Sequence, residues 1–149
     1  MNRVLLVGMM ALFLLALPLT AYAGRDYIEG VLEEWTEYAE DEGYELIDWD
    51  IDELDDETAI TYTLELDRGE YWVVAEGGRN VEDLDLRAYY WDDYDEGDDP
   101  FVEDELADNY PMLEFELRQP DTVVIEVFAY EFDPGEDEGY YCILFAEQN

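Results

Sequence analysis

An excess of carboxylates constrains this chain more than any other feature: 43 Asp and Glu oppose 6 basic residues, for a formal net charge of −37. Such an excess is typical of disordered chains, but a hydrophobic content of 49% and an aromatic content of 15% supply material for a core. We therefore predict a folded core with an acidic surface, whose self-repulsion weakens as salt screens it. This surface suits an extracellular protein of a salt-adapted organism or of a calcium-rich medium, and it makes nucleic acid and anionic lipid poor partners.

The first 23 residues have the composition of an export signal. Arg3 gives a short positive start, residues 4–19 are almost entirely apolar, and Ala21-Tyr22-Ala23 places small residues at a signal-peptidase site. The apolar run is interrupted by Pro18 and is shorter than the roughly 20 residues that span a bilayer. We therefore predict cleavage after Ala23, a secreted or periplasmic location, and no transmembrane span in residues 24–149.

A helix is expected directly after this signal. Asp26 is a suitable N-cap, apolar residues recur at helical spacing from Ile28 to Ala39, and Gly43 can end the helix. Because the glutamates of this segment fall mostly on the opposite face, we expect the helix to pack on a sheet.

After the helix, the apolar period changes to two, which is typical of half-buried strands. The predicted strands cover residues 44–47, 60–66, 71–75, 84–90, 112–117, 122–130 and 140–146, and acidic connections cover 48–57, 91–109 and 131–139. Short strands with turn signals every roughly 8 to 12 residues indicate an antiparallel sandwich or barrel. The helix with its acidic connection (24–57) and the β-sandwich (58–149) are expected to form a single folded unit, mainly β in class.

The residue types that the chain lacks exclude several catalytic chemistries. It contains no His, Lys or Ser, so serine triads, Schiff-base lysines, histidine bases and His-bearing zinc sites cannot form within it. Cys142, the single cysteine, lies in an alternating strand without a cationic neighbour and is predicted to be an inert structural thiol. Paired carboxylates suffice for a glycosidase, but no pair stands out among so many acids. We therefore predict that the protein is not an enzyme.

Calcium is the favoured cofactor because carboxylate and carbonyl oxygens are its ligands. The alternation of Asp48, Asp50 and Asp52 is that of an EF-hand loop, but Glu53 stands where a glycine is required. The stretch from Asp92 to Glu103 has glycine in the sixth place, yet it has tyrosine in the third, and a strand leads into it where a helix is needed. Neither stretch is predicted to be an EF-hand.

A looser calcium site formed by separate loops remains open. Acids outside the predicted strands are most frequent in residues 92–105 and 133–138. Since the loops of a sandwich gather at its two ends, these two can meet. The candidate ligands are Asp83, Asp92, Asp95, Asp98, Glu103, Asp104 and Asp133. We expect an affinity of roughly 10⁻⁴ to 10⁻³ M, which is typical of extracellular modules.

Aromatic residues concentrate in and beside two predicted strands: Trp72, Tyr89, Tyr90, Trp91 and Tyr94. Exposed rings in a row stack on sugars, as in carbohydrate-binding sandwiches. The favoured interpretation is that some of these rings face the core and the others cover a sheet face, as is common for strands.

The strand that contains Asp83-Leu84-Asp85-Leu86 has the clearest register. Alternation places Leu84 and Leu86 on one face and Asp85 and Arg87 on the other. We predict that the leucines belong to the core, and that Asp85 is exposed or is held by a hydrogen bond or by the neighbours of Arg87. Asp83, at the loop edge, is the better candidate for an ion ligand.

The order of short motifs resembles the bacterial pre-peptidase C-terminal domain over residues 58–146. The matching segments are 70–76 (EYWVVAE), 83–86 (DLDL), an acidic loop with Asp104, 111–115 (PMLEF), 123–127 (VVIEV) and 139–144 (GYYCIL). The resemblance implies a jelly-roll-like β-sandwich that accompanies secreted enzymes, and some members of that family bind calcium or assist binding to insoluble substrates. Such domains usually adjoin a catalytic domain. This chain contains none, which favours a stand-alone extracellular or envelope binding protein.

The features together predict an antiparallel jelly-roll-like β-sandwich with one N-terminal α-helix, exported and non-catalytic, with cations as the first expected ligand. The alternatives left open are a carbohydrate-binding module or small carboxylate-pair glycosidase, and a structural envelope component. A polysaccharide or another envelope protein is the alternative partner.

Overall fold

The structure, a computed structural model, describes residues 24–148. The predicted export signal over residues 1–23 lies outside the described residues. A helix, α1, covers residues 24–41. The strands that follow are β1 (Tyr44–Asp55), β2 (Ile60–Leu66), β3 (Gly69–Gly77), β4 (Val81–Tyr90), β5 (Val102–Asp104), β6 (Met112–Leu117), β7 (Asp121–Phe132) and β8 (Glu138–Gln148), with a short helix α2 (Trp91–Glu96) between β4 and β5.

The strands form two four-stranded sheets. One sheet has the order β1-β8-β3-β6 and the other has the order β2-β7-β4-β5. All the paired strands run antiparallel. Consecutive strands alternate between the two sheets over much of the chain, which is the topology of an eight-stranded jelly roll. The predicted fold class, a β-sandwich with an N-terminal helix, is confirmed.

The space between the sheets is filled by residues from alternating positions of their strands. The predicted register of β4 is confirmed, because Leu84 and Leu86 are both fully buried in this core. Other members of this cluster are Leu54, Tyr71, Val73, Leu113, Val123, Ile125, Val127, Tyr141, Ile143 and Phe145. Burial of this apolar surface, at about 25 cal/mol per Å², is the main term that stabilises the sandwich.

Helix α1 covers the outer face of the β1-β8-β3-β6 sheet, as its apolar spacing predicted. Its residues Ile28, Val31, Leu32 and Ala39 pack on Trp72, Val74, Cys142, Leu144 and Ala146. The indole Nε1 of Trp35 donates a hydrogen bond to Glu76 Oε2 at 2.7 Å. Burial raises the pKa of Glu76. The described chain therefore has three layers, one helix and two sheets. Neither of its helices is long and apolar enough to cross a membrane.

Residues 48–55 form most of β1, so the prediction of an acidic connection there is wrong. A bulge at Ile47 shifts the register between Leu46 and Asp48. After it, Trp49 and Ile51 pair with Leu144 and Cys142, and so share the outer face of the sheet with them. The acids alternate with these apolar residues at the period of a strand.

The alternating aspartates protect the open edge of β1. Asp48, Asp50 and Asp52 each accept a hydrogen bond on Oδ1 from the backbone N–H of the next residue, at 2.8, 2.9 and 2.8 Å. These N–H groups are otherwise free to pair with a strand of another chain. Charged side chains on an edge strand oppose such pairing. The pattern that resembles a calcium loop therefore belongs to a protected sheet edge.

A hydroxyl network closes the sandwich beside this edge. Tyr62 of β2 donates to Asp50 Oδ2 at 2.9 Å, and it is hydrogen-bonded to the hydroxyl of Tyr141 of β8. Burial raises the pKa of both tyrosines, so they stay protonated. The network joins strands of the two sheets.

The long connection predicted over residues 91–109 also contains regular structure. It begins with α2, which ends at Gly97 with a left-handed φ of 77°, a conformation that glycine adopts without strain. It continues with β5, which pairs with residues 86–88 of β4. The connection over 131–139 is shorter than predicted, because β7 extends to Phe132 and β8 begins at Glu138.

Candidate functional site

The outer face of the β2-β7-β4-β5 sheet holds two carboxylates that lack the usual partners. Register shifts on both sides of Asp83 interrupt the pairing of β4 with β7, and such bulges redirect side chains. Asp83 Oδ1 is buried without a hydrogen-bond partner among the described residues. Asp85 is 5% exposed, and no other charged residue among those described is buried. Of the alternatives predicted for Asp85, exposure is therefore wrong.

The electrostatics of this pair disfavour two negative charges. Burial, together with the charges of Asp83 and Glu105, raises the pKa of Asp85 to about 6, and no hydrogen bond contributes to the shift. Arg87 acts in the opposite direction, but it does not compensate. Burial also raises the pKa of Asp83, with Asp108 and Glu131 adding to the effect. Desolvation of the charged form is the leading cause at both residues.

The carboxylate of Asp104 and the main chain of Asp108 hold the connection between β5 and β6 in place. Asp104 accepts hydrogen bonds from the backbone N–H of Leu106 at 3.1 Å and of Met112 at 3.0 Å. The backbone N–H of Leu84 donates to the carbonyl of Asp108 at 2.9 Å, which ties this connection to β4. We call Asp83, Asp85, Glu105 and Asp108 the β4 cluster. Asp104 is paired with Leu86 and therefore lies on the inner face of the sheet.

Arg87 supplies a positive charge beside the β4 cluster. Its guanidinium forms ion pairs with Glu103 at 3.7 Å, with Glu126 at 3.5 Å and with Glu105. It also lies over the ring of Phe128, 4.5 Å from the centroid. Because Arg87 already pairs with three glutamates, its single positive charge does not neutralise Asp83 and Asp85.

The remaining predicted ligands lie elsewhere. Asp92 and Asp95 lie on α2, and Asp98 follows it, beyond the end of β4 at Tyr90. Asp133 lies near the other end of β4, where its backbone N–H donates to the carbonyl of Asn80 at 2.9 Å. These ends are about 30 Å apart along a ten-residue strand.

The structure therefore does not bring together the loops 92–105 and 133–138 through Asp92 and Asp133. Of the seven predicted ligands, Asp83 belongs to the β4 cluster, Glu103 pairs with Arg87, and Asp104 lies on the opposite face of the sheet, where it accepts main-chain hydrogen bonds. Within residues 24–148, no three acidic or cysteine side chains are already arranged to hold a metal ion. A cation at the β4 cluster would need water or main-chain oxygens as further ligands.

The five aromatic residues considered as a sugar platform do not form an exposed row. Trp72 is buried under α1 and Tyr89 is buried on the outer face of β4. Tyr94 packs edge-on against Tyr89, with ring centroids 5.2 Å apart. Tyr90 is half-buried and packs on the inter-sheet core, and Trp91 alone of the five is exposed. The favoured interpretation, in which these rings cover sheet faces, agrees with this arrangement.

Cys142 is buried under α1, and burial raises its pKa to about 12. At neutral pH the side chain is therefore a protonated thiol with no access to solvent. Its predicted structural role is consistent with both properties.

We expect Asp85→Asn to stabilise the protein at pH 7 in calcium-free buffer, by about 1–2 kcal/mol after allowing for solvent screening. The pKa of Asp85 is raised to about 6 in the folded state from an ordinary value of 3.8. The folded state therefore binds more protons between these values, and the contribution of Asp85 to stability falls as pH rises from about 4 to 6. Urea unfolding of both proteins at pH 4 and pH 7 measures the effect.

The matched control is Asp99→Asn, which removes the same charge from an exposed position. It should change the free energy of unfolding by less than about 0.5 kcal/mol at either pH. A lower stability of Asp85→Asn than of the parent at pH 7 would show that the carboxylate has a partner that stabilises its charge.

Comparison with solved structures places this fold among small β-sandwiches. The chain is similar to PliG of Aeromonas hydrophila, a periplasmic inhibitor of g-type lysozyme, with 12% identity over 68% of this chain and 85% of that chain, and a TM-score of 0.52. It is also similar to the pre-peptidase C-terminal domain of a Bacillus anthracis collagenase, with 12% identity over 67% of this chain and 89% of that chain, and a TM-score of 0.51. No protein-family model matches the sequence, and no curated protein is significantly similar to it.

At these identities the similarity shows the fold. The resemblance to the pre-peptidase C-terminal domain, predicted from short motifs, is confirmed at that level. Of these two structural neighbours, one is a lysozyme inhibitor and the other is a domain of a collagenase.

Proposed function

We propose that this chain is an exported, non-catalytic binding domain that takes up a divalent cation at the β4 cluster, with calcium as the best fit. The observation that carries the proposal is the pair Asp83 and Asp85. Asp83 Oδ1 is buried without a hydrogen-bond partner among the described residues, and Asp85 is 5% exposed with a raised pKa to which no hydrogen bond contributes. An uncompensated buried charge is unfavourable. A bound cation relieves this penalty and lowers the pKa of both carboxylates.

The ligand types favour calcium over the other common cations. Calcium accepts six to eight oxygen ligands in flexible geometry, whereas magnesium requires a near-octahedral shell and keeps its water. Two carboxylates, together with water and main-chain oxygens of the β5–β6 connection, match the flexible oxygen shell of calcium. In the part of the chain that the structure describes, no third side chain is placed as a metal ligand. We therefore expect a dissociation constant at the weak end of the range for extracellular calcium modules, roughly 10⁻³ M.

The exported location and the binding role have separate support. The composition of residues 1–23 supports export, and of the two structural neighbours described above PliG is periplasmic. A binding role is supported by a lysozyme inhibitor as a fold neighbour. The surface charge supports adaptation to high salt or to a calcium-rich medium. A polysaccharide ligand has less support, because one of the five rings considered is exposed.

We expect about 10 mM calcium to raise the free energy of unfolding by roughly 1.4 kcal/mol, for a dissociation constant of roughly 10⁻³ M. Thermal unfolding in calcium chloride and in magnesium chloride at equal ionic strength measures this effect. Magnesium screens the surface charge equally, so the difference between the two salts reports the specific site.

Three variants localise the site. Asp83→Asn and Asp85→Asn should each lose the calcium-specific increment, whereas Asp99→Asn, an exposed acid outside the cluster, should keep it. If calcium and magnesium stabilise the parent protein equally, or if the three variants respond alike, the cation site is not at the β4 cluster and the proposal is wrong.

A further inference from the structure

A groove of about 500 Å³ runs between α1 and the edge strand β1. It lies on the outer face of the β1-β8-β3-β6 sheet, whereas the β4 cluster lies on the outer face of the other sheet. The floor of the groove includes Leu32, Leu46, Trp49 and Ile51, and its helical rim includes Glu29, Glu33 and Glu37.

Part of the floor is apolar surface that the described residues leave uncovered, since Leu46 and Ile51 are half-buried, whereas Leu32 is buried. Helix α1 packs over β8 and β3, where Trp72, Cys142 and Leu144 are buried. Beside it, Trp49 on the same face is 51% exposed. The bulge at Ile47 places Trp49 there, because it restores apolar residues to the outer face after the register shift. A large exposed tryptophan in a groove is typical of an interaction site.

The rim carries a row of negative charge. Glu29, Glu33 and Glu37 are four residues apart, so they share one face of α1 and span about 12 Å along its axis. Arg25 forms an ion pair with Glu29 at 3.1 Å, and no other basic residue of the described range 24–148 lines the groove. Two of the three glutamates therefore lack a basic partner in the groove.

The edge of β1 disfavours one common mode of binding. Peptides often add a strand to an open sheet edge through main-chain hydrogen bonds. Here the outward N–H groups of Trp49, Ile51 and Glu53 already donate to aspartate side chains. A ligand of the groove is therefore anchored by its side chains rather than by its backbone.

We propose that this groove binds a cationic amphipathic helix of another protein. Apolar residues of that helix pack on Trp49 and Ile51, and Lys or Arg residues at four-residue spacing face Glu29, Glu33 and Glu37. The charge complementarity selects this occupant, since a second copy of this chain, with a formal net charge of −37, would be repelled. The inference is independent of the cation site.

A synthetic peptide tests the groove directly. The probe is a labelled helix of about 14 residues with leucine on one face and lysine on the other. Its control is a scrambled peptide of identical composition, and fluorescence anisotropy at about 0.15 M NaCl measures both affinities. The amphipathic peptide should bind at least about tenfold more tightly than the scrambled one, because the groove contacts its apolar face as well as its charges.

Variants assign this binding to the groove. Trp49→Ala should weaken it about tenfold or more, and Glu33→Gln combined with Glu37→Gln should weaken it about threefold or more. Trp91→Ala and Glu96→Gln change an exposed tryptophan and an exposed acid elsewhere, and should leave the affinity within about twofold.

Ile51→Thr, which preserves β-branching, provides a second test of the floor if Trp49→Ala fails to fold. Equal binding of the two peptides, or an equal effect of groove and control variants, would overturn the proposal and assign the attraction to the acidic surface as a whole. Sedimentation that reveals a dimer lost in Trp49→Ala would overturn it in favour of a second copy.

Discussion

Leu86→Ala is expected to lower the free energy of unfolding by about 2–5 kcal/mol, the range found when a large core side chain is truncated. Leu86 is fully buried in the core between the sheets and lies opposite Val127 of β7. Truncation removes apolar contacts from both sheets and leaves a cavity that a close-packed interior fills only in part. Urea unfolding followed by tryptophan fluorescence measures the change.

Leu106→Ala is the matched control, because Leu106 is 67% exposed in the β5–β6 connection. The same truncation there should change the free energy of unfolding by less than about 0.5 kcal/mol. The effect at Leu86 is a large share of the marginal stability of a domain of this size. Equal stability of the two variants would show that the register of β4 is wrong, and the sandwich with it.

Strands with apolar alternation were predictable from the sequence. The predicted boundaries of β2 and β6 agree with the structure at residues 60–66 and 112–117. Each has an alternating pattern bounded by turn residues, so the signal is local. Alternation alone does not predict that these strands pair as a jelly roll. That prediction rests on the order of motifs along the chain.

The sequence-based prediction places a connection where residues 48–55 form a strand, because it assigns a dense run of acidic residues to a loop. Trp49 and Ile51 alternate with aspartates at a period of two, which is the signal of a strand. An edge strand tolerates acids on the face toward the sandwich because that position is open to water at the edge. In a chain this acidic, the period of the pattern is therefore more informative than its charge.

The candidate site was predictable only in part. Asp83 is predicted from its position at a loop edge and Asp104 from the acid-rich stretch 92–105. Asp83 belongs to the β4 cluster, whereas Asp104 lies on the opposite face of the sheet. Of the alternatives predicted for Asp85, exposure is wrong, because Asp85 is 95% removed from solvent, with the connection between β5 and β6 tied to β4 beside it. That connection is placed by tertiary contacts, such as those of Asp104 with Leu106 and Met112. No local pattern encodes them.

The acidic surface and the buried pair respond to different conditions. Surface carboxylates repel one another through solvent, so salt weakens their interaction at any position. Asp85 is 5% exposed and one carboxylate oxygen of Asp83 is buried, so salt screens this pair less. The difference between calcium and magnesium therefore tests the β4 cluster, and the response to sodium chloride tests the repulsion within the acidic surface.

Raising NaCl from about 0.1 M to 1 M is expected to raise the melting temperature by about 10 °C or more, which corresponds to several kcal/mol for a domain of this size. The formal net charge is −37, and the Debye length falls from about 10 Å to 3 Å over this range. Differential scanning calorimetry measures the shift, with sucrose at equal osmolality as the control for preferential exclusion. A melting temperature that is constant across the salt series, or that rises equally in sucrose, would show that self-repulsion does not limit the stability of this fold.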